Sequence, residues 1–304
     1  MIKGASKQVF VLAAGAAALA GAGGYAWYES RRPAVFEAYI FNTPGSLSAF
    51  IRTPDDSRIL IGGGSNADIV RRLTGVLPFY SRRIDALIVP NTDTRSVTGL
   101  AEVVGRYDVR KVLIPSLTLF SLGLVSTRDP AYAAFLETVA ARHIPVEEYS
   151  AGTHLSFGTV NASVLFPISE DSFRYSKASS PELCLRVSYG EASLLFIGAA
   201  TPKVQKFVAA SSTESNALIV SQSTGQGNIS RELLEAVRPG YLVYSQALSK
   251  SSSKPKLKSA AKTNKKAANK KADSLAGILL DHHFNIRERG EVKITSDGTS
   301  VEII

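Results

Sequence analysis

The chain has 304 residues, 45% of them hydrophobic and 20% charged, with one cysteine and a formal net charge of +9. These proportions suit a folded protein with a sizeable core and exclude a wholly disordered chain. A lone cysteine, Cys184, excludes an intramolecular disulfide and a cysteine-built zinc site, but not a place outside the cytoplasm.

In chain order, the first feature is an uncharged run from Gln8 to Tyr28, preceded by Lys3 and Lys7 and followed by Glu29, Arg31 and Arg32. About 20 such residues suffice for a helix to cross a bilayer. Tyr25, Trp27 and Tyr28 would lie at the headgroup level. The favoured reading is one N-terminal hydrophobic helix within residues 1–32 that stays uncleaved. It would make the chain a single-pass protein of the cell membrane, anchored through residues 8–28, with the body outside the cytoplasm. Two alternatives stay open. Ala18-Leu19-Ala20 and Ala20-Gly21-Ala22 offer small-x-small sites for cleavage and secretion, and an Ala/Gly-rich run also suits a buried helix.

The body, residues 33–304, mixes strand clusters with strand–helix units. Ala38 to Asn42, Ala49 to Thr53 and Arg58 to Gly62 read as consecutive strands, with an Asp55-Asp56 turn between the last two. A helix near Asn66 to Thr74 would bury Ile69, Leu73 and Leu77, with Gly75 and Pro78 to stop it. Ala86 to Val89 and Val112 to Ile114 are all-apolar runs of the fully buried kind, with a helix around Val97 to Tyr107 between them. Asp129-Pro130 is a cap and first turn for a helix lined by Tyr132, Phe135, Leu136 and Val139. Ser163 to Phe166, Leu183 to Ser188 and Leu194 to Ile197 return to strand. Ser230 caps a helix carrying Leu233, Leu234 and Val237, and Tyr241 to Tyr244 is another strand. A helix near Ser274 to Phe284 and two strands, Val292 to Thr295 and Val301 to Ile304, close the chain. This order predicts an α/β (α+β) protein in which two packed sheets carry helices outside.

The segment from 250 to 271 stands apart. It holds nine lysines and no acid: Lys250, Lys254, Lys256, Lys258, Lys262, Lys265, Lys266, Lys270 and Lys271. The 35 basic residues of the chain less these nine leave 26, matching the 26 acids, so the rest is formally neutral. Rich in Ser, Ala and Asn, the segment cannot bury enough apolar surface to order itself. It reads as a disordered insertion at about 248–273. Clustered lysines bind phosphates without reading sequence, and they also attract anionic lipid or wall polymers.

Among the histidines, His143 at a helix end and His154 in a turn read as structural. His282 and His283, as neighbours on a helix, would diverge by about 100° and chelate nothing together. No G-x-S-x-G elbow is present, and Gly62-Gly63-Gly64 lacks the Gly-Lys-Ser/Thr of a phosphate loop.

Four stretches, in order, resemble the metallo-β-lactamase-type domain at the C-terminus of the ComEC family of DNA-uptake channel proteins. They are FIRTPDDSRILIGGG (Phe50 to Gly64), RRIDALIVPNTDTRSVTGL (Arg82 to Leu100), LRVSYGEASLLFIGAAT (Leu185 to Thr201) and ELLEAVRPGYLVYS (Glu232 to Ser245). The resemblance runs from about Phe36 to Ile304 and implies a four-layer αββα sandwich. It also implies where metal ligands would stand, and there this chain departs from the pattern. Asn91 and Ser96 occupy histidine positions, Arg95 and Gly62 aspartate positions, and Ala199 the bridging aspartate of Gly-Asp-Ala. Ser221-Gln222-Ser223 stand where Gly-His-His would be, and Asp93 alone keeps its carboxylate. One carboxylate does not hold zinc, so the reading expects no metal and no cofactor. The favoured function is a non-catalytic protein binding DNA or another polyanion through the nine lysines. Two alternatives stay open: a hydrolase with a rearranged site that uses Asp93 with Asn91, Ser96 or Ser221, and a structural module with an envelope protein partner.

Overall fold

A computed structural model describes residues 35–78, 80–116, 129–168, 182–198, 201–211, 214–221, 229–245 and 282–304. The predicted anchor at 8–28, Ala199, Gln222 and Ser223 lie outside the described residues. So do all nine lysines expected to bind a polyanion: Lys250, Lys254, Lys256, Lys258, Lys262, Lys265, Lys266, Lys270 and Lys271. Among the residues described, no helix is long and apolar enough to cross a membrane.

Strands β1 (Phe36–Thr43), β2 (Ser46–Arg52) and β3 (Arg58–Ile61) form the expected antiparallel run. Helix α1 (Asp68–Val76) buries Ile69 and Leu73, and Gly75 falls inside its last turn rather than ending it. After β4 (Arg83–Ile84) come β5 (Ala86–Ile88), helix α2 (Thr94–Arg106), β6 (Asp108–Val109) and β7 (Val112–Pro115). Helix α3 (Pro130–Ala141) starts with Asp129 as its cap and Pro130 in its first turn. Then follow β8 (Val146–Tyr149), β9 (His154–Phe157), β10 (Val160–Phe166), β11 (Cys184–Tyr189) and β12 (Ala192–Ile197). Helix α4 (Pro202–Ser211), β13 (Ala217–Val220), helix α5 (Arg231–Val237) and β14 (Tyr241–Tyr244) complete the second strand–helix series. The chain ends with β15 (His283–Asn285), helix α6 (Ile286–Arg289), β16 (Glu291–Ser296) and β17 (Val301–Ile303).

Two large sheets result. One has eight strands in the order β17-β16-β1-β2-β3-β5-β7-β8, the other seven in the order β15-β14-β13-β12-β11-β10-β9. Side chains alternate across each strand, and the alternation sorts the apolar residues into three layers. Ala49, Ile51, Ile59, Ile61, Ala86 and Ile88 of the first sheet meet Leu185, Leu194, Phe196, Ile219 and Val243 of the second. The intervening residues Phe50, Leu60, Leu87, Val112 and Ile114 face outward onto α1, α2 and α3. On the other side, Cys184, Leu195, Ile197 and Leu218 pack beneath α4 and α5. Three cores require four layers, helix–sheet–sheet–helix, as the resemblance implies. Each fully buried Leu, Ile, Val or Phe contributes about 1.5–3 kcal/mol of transfer free energy.

Helix α4 and strands β8 and β9 were not expected from the sequence, and three further elements differ from expectation. Helix α2 begins at Thr94, before the predicted Val97, because Asp93 caps it. Strand β13 carries no alternating pattern, being apolar on both faces as the centre of a parallel trio. The helix expected near Ser274 to Phe284 does not reach its predicted end. His283 to Asn285 form an edge strand parallel to β14, with Val243 opposite Phe284. The chain therefore passes from β14 to its parallel neighbour through residues 246–281.

One end of the sandwich is closed by an ion-pair network. In the β2–β3 turn, Asp56 pairs with Arg52 (2.9 Å), Arg58 (3.1 Å) and Arg83 (3.0 Å). The Arg58 side chain is only 6% exposed, and it also donates to Ser81. Asp85 accepts from the Arg58 amide (2.9 Å) and pairs with Arg83 and Arg110. Asp55 reaches the opposite sheet, where its carboxylate accepts from the Thr159 amide (2.7 Å) and hydroxyl (2.8 Å).

Candidate functional site

The other end of the sandwich is where the parallel strands finish. The loop leaving β5 meets the second sheet there: Leu183 N donates to Pro90 O (2.9 Å) and Gly198 N to Leu183 O (3.1 Å). In open α/β sheets this carboxyl end is the place where loops can gather reactive groups.

The Asn91–Ser96 loop is turned in on itself. Asn91 Oδ1 accepts from Asp93 N (3.0 Å). Asp93 is the N-cap of α2, its Oδ1 accepting from Arg95 N (3.0 Å). The Arg95 guanidinium then takes both oxygens, Nε to Oδ1 at 3.2 Å and NH2 to Oδ2 at 2.7 Å. That bond holds the Asp93 carboxyl below the usual carboxylate range, against the opposing effect of burial. The same bond raises Arg95, aided by the nearby charge of Glu182. Asn91 and Ser96 are almost fully buried, at 3% and 2% exposure. A depressed carboxylate with both oxygens engaged is a poor base and a poor ligand.

Asp129 reinforces the loop from outside. Besides capping α3 it accepts from Thr94 N (2.8 Å) and from the Thr94 hydroxyl (2.6 Å), so one carboxylate pins the starts of two helices. Burial pushes its pKa up, but these hydrogen bonds together bring it below the usual value.

The glycine run explains the framework. Gly63 N donates to Ser96 O (3.1 Å) and Gly99 N to Gly64 O (3.0 Å), so the turn after β3 lies directly on the backbone of α2. A Cβ on Gly99 would run into the Gly63 carbonyl, and one on Gly63 would come within 2.6 Å of the Leu100 nitrogen. The run is thus a packing seam, not a phosphate loop.

Beside this seam opens a cleft of about 550 Å³. The β1–β2 hairpin (Asn42 to Ser46), the start of α1 (Asn66, Asp68, Arg72), the strand ends Ser221 and Ser245, and Arg287 of α6 line it. Gly45, at φ 88°, lets the hairpin tip rest on Arg95, whose Cβ would lie 3.0 Å from a Cβ there. Thr43 Oγ1 donates to Ser46 O (2.7 Å) and shares a hydrogen bond with Ser48 (2.9 Å). Arg72 bonds Asp68 (3.2 Å), Gly290 O (2.9 Å) and Asn42 O (3.3 Å). Burial raises Asp68, but its bonds to Arg71 and Arg72 leave it lowered. Ser245 donates to Asn42 Oδ1 (3.3 Å).

The structure therefore brings Asn91, Asp93, Arg95 and Ser96 into one capped loop, and places Ser221 in the adjoining cleft. Arg287, Arg72 and Ser46 carry no motif that would have flagged them. Their convergence depends on β15 pairing with β14, which no local spacing announces. The histidines do not join the site. His143 sits at φ 55° just past α3, and His154 Nδ1 lies 3.0 Å from Ser163 Oγ on exposed strand positions. His282 and His283 stand at the start of a strand, not on a helix, and lie against Tyr241 and Tyr244. Cys184 is fully buried, and burial pushes its thiol far up. The Tyr149 hydroxyl, also buried, donates to Val89 O (2.6 Å) beneath the loop.

Among the described residues, no three His, Cys, Asp or Glu side chains gather where they could hold a metal ion. At the loop itself the donor set does not fit a dinuclear metal centre. An amide, a hydroxyl and a guanidinium surround a single carboxylate that is already bonded to the guanidinium.

No family model matches the chain, and no curated protein does. Among solved structures it is similar to the metallo-β-lactamase fold protein YhfI from Bacillus subtilis, with TM-score 0.49 and 10% identity over 82% of this chain and 95% of that one. It is also similar to CmlA, a diiron β-hydroxylase from Streptomyces venezuelae, with TM-score 0.46 and 17% identity over 69% of this chain and 44% of that one. A third is MEM-A1, a subclass B3 metallo-β-lactamase from a soil metagenome library, with TM-score 0.43 and 12% identity over 66% of this chain and 88% of that one. The match thus spans less than half of the hydroxylase. At such scores and identities these likenesses assign no family and no activity.

Proposed function

We propose that this chain is a membrane-anchored, non-catalytic relative of the ComEC-type domain that binds DNA or another polyanion through the lysines of 250–271. Residues 8–28 would hold it to the membrane, with the body outside the cytoplasm. The observation that carries the reading is the charge distribution, nine lysines without an acid in an otherwise neutral chain. Lysines clustered in this way release counterions from a phosphate backbone and bind it without reading its sequence. The run follows Ser245 in the sequence, and Ser245 itself lines the cleft.

The non-catalytic half of the proposal draws on Asp93. A hydrolase built on Asp93 with Asn91, Ser96 or Ser221 needs a carboxylate free to take a proton or hold a metal. Both oxygens of Asp93 are bonded to Arg95.

The experiment is retention of the full-length protein in detergent on immobilised duplex DNA across a salt series. The comparison variant carries glutamine at all nine lysines. The parent should release steeply with salt, log K falling by about 0.9 per phosphate neutralised, and the variant should not be retained. Equal retention of the two proteins at low salt sinks the proposal. Phosphodiester hydrolysis that disappears in Asp93→Ala would overturn its non-catalytic half.

A further inference from the structure

The cleft between the β1–β2 hairpin, α1 and α6 holds groups that the fold does not use. Arg287 is exposed, and its guanidinium has no carboxylate or carbonyl partner among the described residues. It differs in this from Arg72, which is tied to Asp68 and two carbonyls, and from Arg95, which is tied to Asp93. Ser46 Oγ is shielded from solvent and has no hydrogen-bond partner. Buried polar atoms in folded proteins are nearly always satisfied, so an orphan calls for an explanation. Both residues line the same cleft, and its volume of about 550 Å³ falls in the range of small-molecule sites.

The lining sets the chemistry of the occupant. Asp68, the one acid among the described lining residues, already serves Arg71 and Arg72, so among them the uncompensated charge is that of Arg287, and it calls for an anion. The rest of the described wall is mostly polar, with Asn42, Thr43, Asn66, Ser221 and Ser245 beside the hairpin tip, and offers hydrogen bonds from many directions. Among the described residues no aromatic side chain lines it, so a nucleobase would find none of them to stack on.

We propose that this cleft binds a small phosphorylated polyol, of the sugar-phosphate class, with Arg287 on the phosphate and Asn42 and Asn66 on the hydroxyls. The guanidinium fork suits a phosphate, which it can grip with two parallel N–H donors. The site uses none of the nine lysines and stands independently of the polyanion reading.

Calorimetric titration of the full-length protein in detergent tests it, with ribose 5-phosphate, glycerol 3-phosphate and glucose 1-phosphate as probes. Ribose and inorganic phosphate are the controls. At least one sugar phosphate should bind one to one, and about tenfold or more tighter than either control, the equivalent of one good hydrogen bond to a charged group. Arg287→Gln should weaken it about tenfold or more without moving the melting temperature, since the side chain supports nothing else. The nine-glutamine variant should bind as the parent does. No binding by any of the three overturns the proposal, and so does inorganic phosphate binding as tightly as they do. Loss in the nine-glutamine variant with retention in Arg287→Gln would move the phosphate to the lysines and likewise overturn it.

Discussion

The two ends of the sandwich are both furnished with aspartates and arginines, yet they use them differently. At the end built around the β2–β3 turn, the three acids of the network are each answered within the fold. Asp56 takes three arginines, Asp85 takes two, and Asp55 clasps the opposite sheet through Thr159. At the end where the parallel strands finish, the Asp93–Arg95 pair closes on itself, but Arg287 and the Ser46 hydroxyl are left over. A cluster that exists for stability consumes its own donors and acceptors. A surplus of them, next to a cleft, marks a place made for something else.

The sharpest way to break this contrast is to ask whether the cleft end is simply slack. Gly99→Ala would force a methyl into the Gly63 carbonyl across the seam between the β3 turn and α2. It should cost about 3 kcal/mol by urea unfolding, and a cost near zero would mean that this end is loosely built and its surplus groups uninformative. Next comes Asp56→Ala, which strands the buried Arg58 guanidinium and puts alanine at φ 58°. About 2 kcal/mol is expected, because Asp56 is itself partly exposed. Adding a sugar phosphate should not restore it.

Asp93→Asn is gentler, since asparagine caps a helix as well as aspartate does. It isolates the charge, worth at most about 1 kcal/mol at this half-open site. Because the folded carboxyl is depressed, chiefly by Arg95, that contribution is present above the ordinary carboxylate range near 4. It is lost as pH falls through the depressed folded value. Parent and variant should therefore converge in acid, and a gap that widens there would reverse the assignment. The smallest effect belongs to Arg287→Gln, with no change in melting and a change in ligand binding alone.

Much of the fold was legible because its cores are sorted by simple periodicity. Ile59, Ile61, Ala86 and Ile88 fall on the inner face, with Leu60 and Leu87 on the outer. The short apolar runs bounded by turns became parallel strands as expected. Helix α4 and strands β8 and β9 escaped, and two further strands escaped for reasons that the packing makes plain. Strand β13 shows no alternation because both of its faces are buried. Strand β15 owes its existence to a distant partner, its three residues having little strand character of their own. The loop residues Asn91, Asp93, Arg95 and Ser96 were identifiable from the family resemblance of the stretch Arg82 to Leu100, and Asp93 doubling as a cap could have been read from its place before Thr94. Arg287 could not, because only the pairing of β14 with β15 carries it to the cleft.

That pairing has a consequence for engineering the chain. Because β14 and β15 point the same way, residues 246–281 must carry the backbone from the finish of one to the start of the other. Such a crossover needs only about a dozen residues, and this one is about three times as long. A variant that shortens the segment must therefore keep at least about a dozen residues between Ser245 and His282 if the two strands are to hold their register.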